Sequence, residues 1–541
     1  MAGFAPICTD DRIRRGIVPY LSGGGRRNNV QLGVGQSIWA GTPPPAIPER
    51  VLDGIPGFLA WTALLLCIAA AVAFPRTLLL IAACVALYAA IRFLMAGLAN
   101  FIGLRKIRQW EKIDWWQHYL NERTSDSLGW DEVHHVVIIP AYKEPESVLD
   151  RTLESLAAQY DAVNRISIVL AMEAAENGSD EKAARLQARW RDHFRHFFFT
   201  VHPRGLPGEM QCKSANEAWA SRWIRRKLVD ELGYNLDHIL VTTMDADTLW
   251  HPQHFYALTA LFALNPQRHL RFWQAPIRYH GNIWEISPLL RIVNAYSGAF
   301  ELAYLASPWW KPMPMSSYSL SLRLLDTSGY WDSDVIADEW HMFIKAYAAR
   351  GGAVQLERVF LPFLAQAVTG DTLWEALKNR YQQTLRHAWG SKEVGYMIAK
   401  MLEHPEMSFF PALRLLLRIA HDILLAGAGW VVMTVGSQLP LLLHPHILQE
   451  MIAPGAISPT FILIQIAFGL VTVLGILFWY QDVITRPPRT TKATWRDRLM
   501  TLLSFPLLPV LTLFLVAIPT LQAQTRLLVG TPLQFRVSRK S

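Results

Sequence analysis

Paired cysteines are absent from this sequence. Its 541 residues contain four cysteines, Cys8, Cys67, Cys84 and Cys212, and none has the short spacing of a zinc site or a disulfide framework. Two of them fall in strongly apolar runs, one near the N-terminus and one in the middle of the chain. Neither a disulfide scaffold nor a cysteine metal site is therefore expected to organise the fold.

The middle of the chain, from Leu104 to Pro411, lacks any apolar run of the roughly 18 residues needed to cross a membrane. It alternates short apolar runs with charged helical stretches, which is typical of a soluble α/β domain. Membrane-length runs lie on both sides of it: Gly57 to Phe74, Thr77 to Phe101, Ile419 to Leu443, Phe461 to Tyr480 and Leu499 to Leu521. We predict five parts: a flexible leader (1–50), a helix pair (51–104), a soluble domain (105–410), C-terminal membrane helices (411–525) and a basic tail (526–541).

The formal charge of +8 does not indicate nucleic-acid binding, because the basic residues cluster beside the apolar runs. By the positive-inside rule, the leader, the middle domain and the segment before the last run face the cytosol, and the Lys- and Arg-free loop from His444 to Ser458 lies outside. We therefore expect an integral protein of the plasma (inner) membrane with a cytosolic domain. The basic residues concerned are Arg12, Arg14, Arg15, Arg26, Arg27, Arg486, Arg489, Lys492, Arg496 and Arg498.

The last apolar run creates a conflict with that rule. Five full crossings would place the tail residues Arg526, Arg536, Arg539 and Lys540 outside. Pro506 and Pro509 are expected to break the run into a hairpin or re-entrant element, which would return the tail to the cytosol.

The soluble domain begins with strand signals. His134 to Pro140 is a continuous apolar strand of the kind buried in a parallel sheet, a helix is expected from about Ser147 to Gln159, and a second strand from Ile166 ends at Glu173. Polar residues follow both strands, including Tyr142 and Glu144 after the first. This order predicts a doubly wound α/β sheet that binds its ligand at the carboxyl ends of the strands.

Two aspartates follow a third apolar run, His238 to Thr243. Asp245 and Asp247, spaced i and i+2 after a buried strand, offer hard oxygen ligands for a Mg²⁺ or Mn²⁺ ion that also holds a diphosphate. Taken alone, the same pattern is more typical of a solvated turn. Lys213 follows glycines at a helix start and is a candidate for neutralising a phosphate, but Cys212 and the spacing exclude a Walker loop.

Two further stretches carry chemistry. Asp338 and Glu339 are adjacent at a predicted helix start beside Trp340, where desolvation and mutual repulsion raise the pKa of one of them, as a general base requires; capping of the helix dipole is the alternative. Gln383, Arg386 and Trp389 share one helical face, which suits either a sugar ring and a diphosphate or a solvated basic face.

Taken in order, these elements resemble the inverting, metal-dependent family 2 glycosyltransferases, in the membrane-embedded branch that includes cellulose and hyaluronan synthases. Pro140, Tyr142 and Glu144 match the family's Pro-x-Tyr-x-Glu motif, and Glu173 matches the acid that contacts the nucleoside. The resemblance implies a GT-A fold, with Asp245 and Asp247 as the metal-diphosphate motif. The acidic pair falls on Asp338 and Glu339, and the Gln-x-x-Arg-Trp motif falls on Gln383, Arg386 and His387.

Two residues depart from the family pattern. The acidic pair is inverted to Asp-Glu, so the expected base is Glu339, with Asp338 as the alternative. The motif tryptophan is replaced by His387, and Trp389 two residues later is expected to stack on the acceptor in its place.

The resemblance implies transfer of a sugar from a nucleotide-sugar donor to a glycan or lipid acceptor, with Mg²⁺ or Mn²⁺ as cofactor. The expected product is an exported or cell-surface polysaccharide, for which an accessory export subunit is a possible partner. Three alternatives remain: non-processive transfer to a polyprenyl phosphate or membrane lipid, a catalytically silent membrane scaffold or export subunit, and a two-carboxylate glycosidase, which the phosphate-binding groups disfavour.

Overall fold

The computed structural model describes residues 47–451, 458–489 and 492–532. Two long helices come first, α1 (Glu49–Ala73) and α2 (Pro75–Trp110), joined at Phe74. Pro75 occupies the first turn of α2, where its missing N–H has no partner to lose. Both helices expose large apolar side chains, as lipid-facing helices do. The predicted leader up to residue 46, with its arginines and Cys8, lies outside the described residues, as do Arg536, Arg539 and Lys540.

The middle of the chain folds around a seven-stranded sheet with the order β3-β2-β1-β4-β7-β5-β8. All neighbouring strands pair in parallel except β7, which runs antiparallel to β4 and β5. Two short strands, β6 and β9, form a separate pair. The strands are β1 (His134–Ala141), β2 (Ile166–Glu173), β3 (His196–His202), β4 (Ile239–Thr243), β5 (Arg271–Gln274), β6 (Ile277–Arg278), β7 (Tyr318–Ser321), β8 (Gln355–Arg358) and β9 (Phe363–Leu364).

Helices cover both faces of this sheet, which explains the continuous apolar strands. In β1, Val136 and Ile138 join the core on one face, whereas Val137 and Ile139 join the core on the other. The helices of this part are α3 (Trp115–Glu122), α4 (Glu146–Ala157), α5 (Ala162–Arg165), α6 (Ser179–Trp190), α7 (Lys213–Arg225), α8 (His254–Leu264), α9 (Pro288–Ala306), α10 (Leu322–Thr327), α11 (Asp338–Ala349), α12 (Leu373–Ala388) and α13 (Lys392–Glu403).

Apolar helices follow the soluble part. They are α14 (Phe409–Leu424), α15 (Leu439–Leu443), α16 (Pro445–Met451), α17 (Pro459–Val483), α18 (Trp495–Thr512) and α19 (Ile518–Val529). Four helices are long and apolar enough to cross a membrane, namely α1, α2, α17 and Trp495–Val529. The helices Phe409–Gly429 and Val432–Leu443, bent by 46° against each other, would form a fifth span if they are taken as one.

The predicted fold class is confirmed: a mostly parallel α/β sheet lies between membrane-length helices on both sides. The expected break of the last apolar run is wrong. Residues Trp495–Val529, here called the C-terminal helix, form one continuous helix through Pro506 and Pro509, with a π-helical turn at Leu513–Ala517. The marked bend occurs instead in the run from Ile419 to Leu443, between residues 429 and 432.

His341 fastens helix α11, which carries the acidic pair, to helix α13. Its Nδ1 lies 3.1 Å from Glu393 and its Nε2 lies 2.9 Å from Asp332. Its ring stacks on Tyr396 at 3.9 Å. Burial lowers the pKa of His341, but the two carboxylates outweigh burial and raise that pKa to about 9. The side chain is therefore a buried imidazolium held between two anions.

We expect His341→Gln to destabilise the protein in a pH-dependent way. Because the folded pKa of about 9 exceeds the ordinary 6.5, the ionic contribution is complete below pH 6.5 and is lost as the pH rises through 9. At low pH it amounts to up to about 3 kcal/mol. Thermal unfolding in detergent at pH 6 and pH 9 measures it, and His404→Gln, at a more exposed histidine that pairs with Glu406, is the matched control. A loss of stability that is equal at both pH values would contradict the assignment.

Candidate functional site

A cavity of about 870 Å³ lies at the carboxyl edge of the sheet. It forms where the loops after β1, β2 and β4 meet helices α7, α11 and α12. Nearly all of the predicted site residues line it, although they are spread over about half of the chain: Tyr142, Glu144, Glu173, Lys213, Asp245, Asp247, Asp338, Glu339, Gln383, Arg386 and His387.

The loop after β1 is held by carboxylates that accept backbone N–H groups. Glu144 accepts from Tyr142 N, and Glu176 accepts from Lys143 N at 2.6 Å. Lys143 has a φ of 67°, a left-handed conformation that is unfavourable for a lysine and is maintained here by those hydrogen bonds. Lys182 completes the arrangement by donating to Glu176 at 2.6 Å. The loop thus presents Tyr142 to the cavity in a defined position.

Glu173, at the end of β2, is held by a histidine. Nδ1 of His202 lies 3.2 Å from Glu173, and its Nε2 lies 2.8 Å from Glu209. Burial lowers the pKa of His202, but the hydrogen bonds to both glutamates outweigh burial and raise that pKa to about 9. His202 was not predicted as a site residue. Its pairing with Glu173 across β2 and β3 arises only from strand register.

Asp245 and Asp247 follow β4 directly and both line the cavity. Asp245 accepts from the Ser316 hydroxyl at 3.0 Å and lies 3.2 Å from Nζ of Lys213. Asp247 is nearly fully buried and accepts from the backbone N of Gln366 at 3.1 Å. Leu249 and Leu364 exchange backbone hydrogen bonds, which brings the segment carrying Gln366 beside Asp247.

These aspartates fit a divalent cation. Across residues 47–451, 458–489 and 492–532, no group of three or more His, Cys, Asp or Glu side chains is arranged to hold a metal. A Mg²⁺-type ion, however, usually takes only one or two protein carboxylates and completes its shell with substrate phosphates and water. The Gln366 side-chain oxygen is buried without a hydrogen-bond partner and lines the same cavity, so it is a third candidate oxygen ligand.

Asp338 is paired with a second buried acid, Glu217. The Asp338 Oδ2 and Glu217 Oε2 atoms are both buried and have no donor partner, and the two side chains lie within hydrogen-bonding distance of each other. Two carboxyl oxygens satisfy each other only by sharing a proton. Burial and then Glu217 raise the pKa of Asp338 well above its ordinary value, and burial also raises the pKa of Glu217.

Glu339 is the more accessible member of the acidic pair. It remains partly exposed to the cavity, whereas Asp338 is 3% exposed. Burial, followed by the nearby charge of Asp338, raises the pKa of Glu339 to about 7. A carboxyl group with this pKa both releases and accepts a proton near neutral pH, which suits a general base.

Two cations balance these acids. Burial lowers the pKa of Lys213, but Glu217 at 3.5 Å and Asp245 outweigh burial and raise that pKa well above its ordinary value, so the ammonium stays charged. Burial lowers the pKa of the Arg386 guanidinium, and the nearby carboxylates of Asp245 and Glu339 oppose that shift. Positive charge is therefore fixed where a phosphate would lie beside Asp245.

A further acid lines the cavity from helix α9. Glu301 accepts a hydrogen bond from the Tyr279 hydroxyl at 2.7 Å, and its other oxygen is buried without a partner. Burial raises the pKa of Glu301 to about 7. Arg380 donates to the side chain of Gln383 at 2.9 Å, which orients that amide at the cavity wall.

Trp389 does not line the described cavity. Its ring packs in a hydrophobic cluster with Ile336, Leu385, Ala523 and Leu527, and it is 9% exposed. The expected stacking of Trp389 on an acceptor is therefore not supported. The chain turns into a short 3-10 helix at Trp389–Ser391, and this turn carries the ring away from the face that holds Gln383 and Arg386.

Sequence reasoning missed Glu217, Gln366, Glu301 and His202. Only Glu217 had a local cue, because it stands four residues after Lys213 on the same helix and therefore on the same face. The other three reach the site through contacts between segments that are distant in the sequence, for which single-sequence patterns give no signal.

The far wall of the cavity is made by apolar helices. The helices Phe409–Gly429 and Val432–Leu443, here called the bent segment, contribute Asp422, Ile423 and Ala426. The C-terminal helix contributes Val516 and Thr520. Asp422 is paired with Arg418 and lies 3.5 Å from Arg92 of helix α2. The cavity thus lies between the acidic edge of the sheet and the helices of membrane length.

Comparisons with known proteins give distant structural similarities. No protein-family model matches the sequence, and no curated protein matches it. The structure is similar to the mannosyltransferase PcManGT from Pyrobaculum calidifontis in complex with GDP-Man and Mn²⁺, with a TM-score of 0.39, 15% identity and coverage of 74% of this chain and 98% of that chain. It is also similar to residues 1–349 of S. aureus TarS (TM-score 0.30, 12% identity, 69% and 89% coverage) and to GalNAc-T7 with UDP, GalNAc and Mn²⁺ (TM-score 0.31, 13% identity, 54% and 57% coverage).

We expect Trp389→Ala to affect stability and not the cavity. Removing a buried tryptophan from its cluster should lower the free energy of unfolding by roughly 3–5 kcal/mol. Nucleoside diphosphate affinity of the folded protein should stay unchanged. Thermal unfolding and equilibrium binding measure the two effects, and Trp374→Ala, at a ring that is 76% exposed, is the control. Weaker binding at unchanged stability would restore a ligand-stacking role for Trp389.

Proposed function

We propose that this protein is a membrane-embedded, inverting glycosyltransferase that moves a sugar from a nucleotide-sugar donor to an acceptor hydroxyl. One observation carries the proposal. A single cavity combines an aspartate pair beside a fixed lysine, a carboxyl group with a pKa of about 7 and a wall of membrane-length helices. Donor, base and a membrane-borne acceptor can meet there.

The chemistry is a single in-line displacement. Glu339 takes the proton from the acceptor hydroxyl, whose oxygen attacks the anomeric carbon of the donor sugar. The bond from that carbon to the diphosphate oxygen breaks on the opposite side, so the configuration inverts and the nucleoside diphosphate leaves. Asp338 is the less suitable base, because it is almost fully buried and because burial and the neighbouring Glu217 raise its pKa well above the ordinary value.

The diphosphate leaves with added negative charge, which the cavity is built to stabilise. Lys213 and Arg386 supply fixed positive charge beside Asp245. A Mg²⁺ or Mn²⁺ ion held by Asp245 and Asp247 would add Lewis-acid stabilisation of the same leaving group. Tyr142, Glu144 and Glu173 are assigned to the nucleoside end of the donor, with His202 holding Glu173 in place.

The acceptor is assigned to the membrane side of the cavity. Gln383 and His387 line the wall through which it would approach, between the acids and the apolar helices. We propose a growing exported or cell-surface polysaccharide as acceptor, with the catalytic domain on the cytosolic side of the plasma membrane. Transfer of one sugar to a polyprenyl phosphate or membrane lipid is the second candidate, favoured by the cations Arg92 and Arg418 next to Asp422 at that wall.

The decisive experiment supplies membranes containing the full chain with a panel of radiolabelled nucleotide sugars and Mn²⁺. One donor should release its diphosphate and transfer label. Product length that grows with time supports the polysaccharide, whereas a single labelled lipid supports the second candidate. Asp247→Ala should abolish transfer while Asp192→Ala, at a distant exposed aspartate, leaves it unchanged. Normal transfer by Asp247→Ala would refute the assignment of the aspartate pair, and no transfer from any donor would support a silent scaffold.

We expect Glu339→Gln to abolish turnover without weakening donor binding, because a general base contributes to the rate and not to ground-state affinity. Since the base works when deprotonated, the wild-type turnover rate should rise with pH through about 7 and then level off. Asp338→Asn keeps a hydrogen bond to Glu217 and should retain more activity than Glu339→Gln. A larger loss in Asp338→Asn, with Glu339→Gln still active, would identify Asp338 as the base.

A further inference from the structure

The first turn of the C-terminal helix is attached to the soluble domain. Asp497 lies 3.0 Å from Arg291 of helix α9, a guanidinium that is only 7% exposed. Arg489 pairs with the same aspartate at 2.6 Å. Arg291 also donates to the Ile283 carbonyl within the domain at 3.0 Å, so the helix start is fixed to the domain surface.

The last turn of the same helix lies at the domain as well. Arg50, in the first turn of α1, donates to the carbonyls of Leu527 and Leu528 at 3.2 and 3.0 Å. That end of α1 is bound to the domain, because Asp53 lies 3.1 Å from Lys392 of helix α13. Both ends of the C-terminal helix therefore meet the same body.

Contacts with the domain continue between the two ends. Leu515 packs with Ile283 and Leu290, and the Tyr381 hydroxyl of helix α12 donates to the side chain of Gln522 at 2.6 Å. Ala523 then packs with Trp389. The helix thus runs along the domain surface over most of its length.

This course is incompatible with a membrane crossing. A 35-residue helix is ~52 Å long at 1.5 Å per residue, well above the ~30 Å of the hydrocarbon core. A crossing helix of that length would place its ends on opposite sides of the bilayer. Here both ends are held at the domain, by Arg291 and by Arg50, although between them Thr525 accepts a hydrogen bond from Trp61 in the middle of α1.

The other long helices reach the side of the membrane opposite the domain, here called the far side. Arg76, between α1 and α2, pairs with Glu450 at 2.7 Å, and Leu79, Met451 and Phe461 pack together. At the opposite end of α17, Asp482 lies 2.8 Å from His280 of the domain. Helices α1, α2 and α17 and the bent segment thus each connect the domain side with the far side. Four crossings return the chain to the domain side before Trp495.

The outward face of the C-terminal helix is apolar and unpartnered within the described chain. Leu499, Leu502, Leu503, Val510 and Phe514 recur at helical spacing and are 41–68% exposed. Arg489, Lys492, Arg496 and Arg498 flank its start, where they would meet anionic headgroups. The exposed apolar faces of α1 and α17 provide the same kind of surface.

We propose that the C-terminal helix is an interfacial anchor that lies in the plane of the membrane. Its outer face inserts among the acyl chains of the leaflet on the domain side. Its inner face covers the cavity through Val516 and Thr520. The chain leaves the helix on the domain side. This arrangement removes the conflict between the basic tail and the positive-inside rule. It holds whether or not the cavity transfers sugar.

The side of each helix end is measured by cysteine labelling in sealed right-side-out and inverted vesicles. Lys492→Cys and Thr531→Cys flank the helix, Asp192→Cys reports the domain and Gln449→Cys reports the far side, all in a full-length Cys8→Ser, Cys84→Ala background. With a membrane-impermeant maleimide, the first three should label in one orientation and Gln449→Cys in the other. Labelling of Lys492→Cys and Thr531→Cys in opposite orientations would overturn the proposal.

The depth of spin labels in the bilayer gives an independent test of the orientation of the helix. This test also decides between the two orientations if Thr531→Cys is labelled in neither type of vesicle. Nitroxides at Leu502 and Phe514 should lie at equal, shallow depth when accessibility to oxygen and to a nickel chelate is compared. In a crossing helix these sites would differ by ~18 Å in depth. Ile462 and Val473, exposed positions on α17, are the matched control and should differ by ~16 Å. Unequal depths at Leu502 and Phe514 would overturn the proposal.

Discussion

Acidic groups outnumber cations around the cavity, and the way in which their charge is neutralised constrains everything else in the site. Around the aspartate motif and the acidic pair, five carboxyl groups lie near two cations, Lys213 and Arg386, in a space where unpaired charge is costly. Burial raises the pKa of both Glu217 and Asp338, which favours one proton between them, and Lys213 lies within 3.5 Å of both Glu217 and Asp245. The remaining negative charge favours a divalent cation, and burial followed by the nearby charge of Asp338 raises the pKa of Glu339 to about 7. The carboxyl groups are Glu217, Asp245, Asp247, Asp338 and Glu339.

The helices of membrane length complete this site. The bent segment contributes Asp422 and Ala426 to the cavity wall, and the C-terminal helix contributes Thr520. Next to the cavity-lining Ser391, Lys392 ties the first helix to α13, and Glu393 beside it holds His341 of the helix that carries the acidic pair. The first long helix is therefore linked through ion pairs to helix α11, which carries Glu339.

Much of the fold was predictable from local patterns. The strands β1, β2 and β4 are continuous apolar runs because both faces of the sheet are covered, and their ends agree with prediction within one or two residues. The reversed strand β7 was not predicted, since four residues carry too little periodicity. The predicted break of the last apolar run at Pro506 and Pro509 was wrong for a different reason. Proline locally disfavours a helix, but this helix packs against the domain and continues through both prolines.

The sequence by itself determined which chemical groups are present and that the chain alternates between membrane and soluble regions, because composition and strand hydropathy are local properties. Tertiary structure alone decided which groups meet. It joined Glu217 to Asp338, His202 to Glu173 and Gln366 to Asp247, and it turned Trp389 away from the cavity. It also decided that an apolar run of membrane length lies along the domain. The reason is the same in each case: burial and charge pairing depend on neighbours that are distant in the sequence.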